Sequence, residues 1–153
     1  MPRRIEGSLA TPALGTEVSP LAVFGEEFRL LTLHLSLTSS AVVANRFPHF
    51  QFVSPSGDII HEVVPVAAQA ASLTYVYDLV AESANLSEGS AVHDDVVSLP
   101  LPKLWFPPST IVRTKTTALD VGDAWTKVYF TAEVGGQYEH ERLLQEIADN
   151  IGA

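Results

Sequence analysis

The side chains able to do chemistry in this 153-residue sequence are limited in kind. There are five histidines, His34, His49, His61, His93 and His140, and no cysteine. Without cysteine there is no thiolate nucleophile, disulfide framework or thiolate zinc site, and the redox compartment stays open. His34, His49 and His61 fall on the polar faces of alternating segments, where a solvated strand residue is the simplest account. The stretch VHDD at 92–95 groups His93 with Asp94 and Asp95, and carboxylate oxygens of this kind can hold calcium. Its spacing is not that of an EF-hand, and no full ligand set can be named. A G-x-S-x-G elbow, H-E-x-x-H, a P-loop and G-x-G-x-x-G are all absent from the sequence. Three reacting groups can still meet from distant positions, but the lack of these motifs leads us to expect a protein that is not an enzyme, with no cofactor and no metal.

The balance of charge narrows the partners. Nine Lys and Arg stand against eighteen Asp and Glu, a formal net charge of -9. A fold-wide basic face that neutralises phosphates is not expected, so nucleic acid is a poor partner. No run of 18 or more apolar residues and no apolar signal core stands near the N-terminus, which predicts a soluble chain that neither enters a membrane nor carries an export signal. Hydrophobic residues nevertheless make up 46% of the chain and charged residues only 18%. Part of that apolar surface is expected to be covered by further copies or by other polypeptides.

Strands are the elements that must position these groups. Leu31, Leu33, Leu35 and Leu37 alternate with Thr32, His34, Ser36 and Thr38, the period of a half-buried strand. His49, Phe50, Gln51 and Phe52 continue the alternation, the turn SPSGD breaks it, and IIHEVV resumes it, so 47–64 reads as a hairpin. SLTYVYDLV sets Leu73, Tyr75, Tyr77 and Leu79 on one face, and 81–95 reads as an exposed loop. TIVRTKTTAL and AWTKVYFTAEV predict a second hairpin closed at DVGD, with Gly122 available for a positive φ. In the final segment Leu144, Ile147, Ala148 and Ile151 follow helical spacing, which predicts a short amphipathic helix. The fold class is therefore all-β: a β-sandwich or jelly roll over 26–135, with an extended arm at 1–25 and a C-terminal helix at 136–153 packed on the domain or a partner.

Two stretches fit no period. Residues 1–25 hold three prolines and three glycines with scattered apolar residues, a composition that suits an arm docked on another chain. LPLPKLWFPPST at 99–110 contains four prolines, which excludes a helix or a central strand. It is too apolar for a solvated linker, so it must be extended and pressed against either this protein's core or a neighbour. Of the aromatic residues Tyr75, Tyr77, Trp105, Trp125 and Tyr129, a sugar-binding β-sandwich could present any to a glycan. All but Trp105 lie on alternating strand faces, where core packing is the commoner role.

Taken together, ANRFPHFQFVSPSGDII, LPLPKLWFPPSTIVRTKTTAL and DVGDAWTKVYF resemble a pattern found in small virion structural proteins of tailed bacteriophages. The matching residues are Asn45, Arg46, Pro48, Gly57 and Asp58; then Leu99, Pro100, Leu101, Pro102, Leu104, Trp105, Pro107, Arg113 and Thr114; then Gly122, Asp123 and Trp125. Pro108 and Ser109 depart from it where a glycine is expected. The resemblance covers about half the chain and implies a β-sandwich built into a particle. Of the placements it implies, a capsid decoration (cement) protein suits the arm, the acidic balance and the apolar excess. A neck or tail-ring component is the alternative, and a carbohydrate-binding module is a second one. On the cement reading the protein is a homo-oligomer, a trimer, bound to the major capsid protein on the exterior of the virion and present in the host cytoplasm during assembly. Leu9, Leu14, Val18, Leu21 and Phe24 are then the arm anchors, and Leu101, Leu104, Trp105 and Phe106 the protomer interface.

Overall fold

The computed structural model describes residues 3–81, 86–88 and 95–135. The helix expected at 136–153 and the cluster around His93 and Asp94 lie outside the described residues. Among the described residues nine strands follow in order: β1 (Arg3–Leu9), β2 (Phe28–Thr38), β3 (Phe47–Val53), β4 (Ile59–Val63), β5 (Thr74–Ala81), β6 (Leu86–Glu88), β7 (Asp95–Leu101), β8 (Ile111–Thr117) and β9 (Ala124–Val134). They form a six-stranded sheet, β1-β9-β2-β5-β7-β6, and a three-stranded sheet, β4-β3-β8, that enclose one core. The all-β sandwich expected from the alternation is the fold observed.

The alternating leucines of β2 do face inward: Leu33, Leu35 and Leu37 are fully buried. A register shift between Leu30 and Thr32 resets the phase, so Leu30 is buried in place of Leu31. Extra residues of this kind re-aim the side chains on either side of them. Across the core Trp125 meets Phe50 and Tyr77, with ring centroids 6.2 and 6.0 Å away. Burial pushes the Tyr77 hydroxyl well above the usual tyrosine range, and it donates to Gln69 Oε1 at 2.9 Å.

The hairpin expected at 47–64 is present as β3 and β4. The hairpin expected from 110–134 is not. β8 pairs with β3, whereas β9 pairs with β1 and β2, so residues 118–123 cross from one sheet to the other. Local alternation describes each strand correctly but carries no information about which strand lies beside it. Gly122 does not take a positive φ. It is needed for close approach, since a Cβ there would stand 3.0 Å from Ser40 Cβ.

The two aperiodic stretches fold onto the domain. Residues 3–9 are edge strand β1, paired along its length with β9. The chain then returns as a strap over the open edge of β8: Leu21 N–H donates to Val112 O at 2.6 Å, Val112 N–H to Ala22 O at 2.9 Å, and Thr114 N–H to Val18 O at 3.0 Å. The proline stretch begins inside β7, which runs parallel to β5. Among the described residues β7 pairs with β6 only through Val96–Ser98, so the ladder shown on that side does not call on a Pro100 N–H. Residues 102–110 then carry the chain across to β8.

Candidate functional site

Arg46 begins the site. It lies just before β3, and its guanidinium is completely buried against the carboxylate of Asp123, Nε to Oδ2 2.7 Å. The same guanidinium donates to Ala44 O at 2.9 Å, to Val42 O at 3.1 Å and to Ser40 Oγ at 3.2 Å. Asp123 in turn accepts the N–H of Ser40 at 2.8 Å and of Asp120 at 2.9 Å. Burial pushes its carboxyl up, but the Arg46 guanidinium and these two amides outweigh burial and leave it below the usual aspartate range. Asp120, held by the Gly122 N–H and the Ser40 hydroxyl, is likewise lowered. One ion pair thereby rigidifies both the 40–46 loop and the 118–123 turn.

A third segment joins them. Gly15 N–H donates to the carbonyl of Asp123 at 2.7 Å. At φ +73° Gly15 lies so close to Val121 that a Cβ would stand 2.6 Å from the Val121 Cα, so only glycine fits. From these three loops, at one end of the sandwich, Leu14, Val42, Val43 and Val121 project into solvent. Val43 is 93% exposed and Val121 84%, high values for aliphatic residues beside a rigid buried network.

Glu17 fastens the strap beside this end. Its carboxylate accepts the Thr116 N–H, the hydroxyls of Thr116 at 2.8 Å and Thr114 at 3.0 Å, and the indole N–H of Trp125 at 3.3 Å. Hydrogen bonds to a charged group contribute roughly 1.5–3 kcal/mol apiece, and half-exposure weakens them here. Glu17→Ala is expected to cost about 2 kcal/mol and to speed hydrogen exchange at the Leu21 amide. Unaltered exchange there would mean that the strap is held by its apolar side chains alone.

The residues expected to anchor an arm are mostly internal. Val18 and Leu21 are core residues, and Leu9 and Phe24 pack against that core. Only Leu14 stands free, 64% exposed. The outward arm is therefore corrected to a strand and a strap, because Val18, Leu21 and Ala22 complete a core that β8 alone leaves open. The proline stretch needs a similar correction. Leu101 and Phe106 are buried, Phe106 stacking on Phe52 with ring centroids 4.3 Å apart. Trp105 is half-buried with the Arg29 guanidinium over its ring, 5.4 Å from the centroid, and Leu104 is exposed. The stiff segment thus wedges its own inter-sheet crossing.

The histidines are partnered rather than merely solvated. His34 Nδ1 donates to Asp78 Oδ1 at 2.5 Å, and His49 Nδ1 lies 3.1 Å from Glu62 Oε1. Chiefly the Gln51 amide, with a smaller contribution from His49, holds Glu62 below its usual range against the effect of burial. His61 sits edge-on to the Phe52 ring at the rim of the core instead of on a polar face. Among the described residues no three His, Asp or Glu side chains converge in a way that suits a metal ion.

This architecture is that of a two-sheet all-β sandwich whose N-terminal segment packs on its own body and whose loops gather apolar residues at one end. No family model matches the sequence, and a comparison with curated proteins found no match. Among solved structures, one titled "Structure of infectious bursal disease virus Gx strain" aligns with 89% of this chain and 29% of that chain, at a TM-score of 0.33 and 6% identity. The chain therefore spans less than a third of that one. At this TM-score the likeness says nothing about what the present chain binds.

Proposed function

We propose that the protein is a structural binding subunit of a virus particle, a capsid decoration protein that seats on a shell of other polypeptides through its apolar loop end. The observation that carries this reading is the set of exposed aliphatic residues Leu14, Val42, Val43 and Val121 on three loops locked by the Arg46–Asp123 pair. Apolar side chains already held in place lose little entropy on docking. The resemblance to phage virion proteins supports the same reading. Arg46 belongs to its first motif block and Gly122, Asp123 and Trp125 to its last, and the two blocks meet at this ion pair. The strap, being internal, is not the clamp. Retention on the particle comes instead from several copies binding at once, as in the trimer expected above, since linked weak contacts gain from effective concentration and a ligand of the assembled state stabilises it by mass action.

The test is co-sedimentation of the intact protein with undecorated capsid shells. Burying a valine contributes about 1.5 kcal/mol, so Val43→Asp with Val121→Asp is expected to weaken shell binding by about a hundredfold or more, with the thermal transition unchanged. Equal binding by the double variant would overturn the assignment.

A further inference from the structure

The outer face of the six-stranded sheet carries a second surface, away from the loop end. Strand register places Ser8, Tyr129, His34, Asp78 and Ser98 in one row across β1, β9, β2, β5 and β7. At strand spacing the row is roughly 19 Å long. Beside it, in the next row, Thr32 and Thr131 share a hydroxyl hydrogen bond of 2.7 Å. The inward-facing aromatic residues of these strands, Tyr77 and Trp125, are fully buried, but Tyr129 is 53% exposed. Its ring centroid lies 6.1 Å from that of His34, and His34 and Asp78 are each 39% exposed. Pairing takes His34 Nδ1 and Asp78 Oδ1, and His34 Nε2 and Asp78 Oδ2 make no hydrogen bond among the described residues.

We propose that this row is a glycan-binding platform that takes an uncharged, β-linked hexopyranose chain lying flat across the strands. A pyranose ring has an apolar C–H face that stacks on an exposed phenol ring and an edge of vicinal hydroxyls that both donate and accept. Asp78 Oδ2 accepts from such a pair, His34 Nε2 meets the next hydroxyl, and the serine and threonine hydroxyls extend the contact to neighbouring units. The His34–Asp78 pair fixes the orientation of both groups before the ligand arrives. Charge excludes the main competitor: a base could stack on Tyr129, but the net charge of -9 opposes a phosphate backbone. The ribbon shape of a β-linked chain suits a flat row, whereas an α-linked coil would touch Tyr129 with a single unit. The platform is on a side face and the apolar loops are at one end, so a subunit docked by its loops keeps the platform open.

Isothermal titration of the full chain with cellohexaose, chitohexaose and maltohexaose tests this inference. Saturable binding of at least one β-linked hexasaccharide is expected, with maltohexaose weaker. Tyr129→Ala is expected to weaken binding by about tenfold, and Asp78→Asn to do so at unchanged melting temperature. Binding of none of the three sugars, or binding indifferent to Tyr129→Ala, would overturn the proposal. Shell binding is measured separately with the Val43 and Val121 variants, so either proposal can fail without the other.

Discussion

Arg46→Met is expected to lower the unfolding free energy by about 3–5 kcal/mol, the usual effect of breaking a fully buried ion pair and leaving one charge without its partner. For a domain of this size that corresponds to a fall in melting temperature of roughly 10 °C or more. Replacing both partners with apolar residues often restores stability at buried pairs. Here it should not. Arg46 also satisfies the carbonyls of Val42 and Ala44, and Asp123 the amides of Ser40 and Asp120. Arg46→Met with Asp123→Leu would strand all four backbone groups, so the double variant is expected to melt no higher than Arg46→Met alone. Recovery to the native melting temperature would show that the pair, and not its backbone capping, orders the loops.

The same pair has a pH signature. The folded carboxyl of Asp123 titrates below its unfolded value, which is about 3.9. Its contribution is therefore fully present above that value and is lost as pH falls through the lower folded value. Asp123→Asn, less stable at neutral pH, should lose less further stability than the native protein below about pH 4. Thermal melts across that range give both slopes. Parallel slopes would mean that Asp123 is not a principal acid-labile group.

The second large effect is expected at Phe106. Its ring is buried, stacked on Phe52 and 5.7 Å from Phe28, while its backbone exchanges hydrogen bonds of 2.7 and 3.2 Å with Phe28. Phe106→Ala removes the ring from a site that the two strands and the flanking prolines cannot close. It is expected to cost about 3–5 kcal/mol while leaving the sedimentation mass of the folded fraction unchanged. Leu104→Asp, on the exposed neighbour, should alter stability by no more than about 0.5 kcal/mol. The reverse pattern, a stable Phe106→Ala variant that falls to a lower mass, would return the proline segment to a contact between protomers.

Much of the site was legible in part. Asn45, Arg46 and Pro48 in one block, and Gly122, Asp123 and Trp125 in another, stand out as motif residues, yet nothing local says that an arginine and an aspartate 77 positions apart share one buried pair. Tyr129 shows the opposite failure. It lies on an alternating strand, where core packing is the natural expectation, but the backbone at Lys127 takes a positive φ of 54°. Beyond it Val128 faces inward, so Tyr129 faces solvent.

Period-two alternation determined the class of this protein and the extent of β2, β3, β4, β5, β8 and β9, because successive side chains on an extended backbone point to opposite faces whatever lies beside them. The absence of cysteine and the surplus of acid were equally plain. Tertiary structure alone decided that β8 and β9 belong to different sheets, that Val18, Leu21 and Phe106 fill the protein's own interior, and that Leu14, Val42, Val43 and Val121 meet at one end. The physical reason is common to all three. An apolar residue in an aperiodic stretch needs a surface to cover, and only long-range pairing determines which surface is within reach.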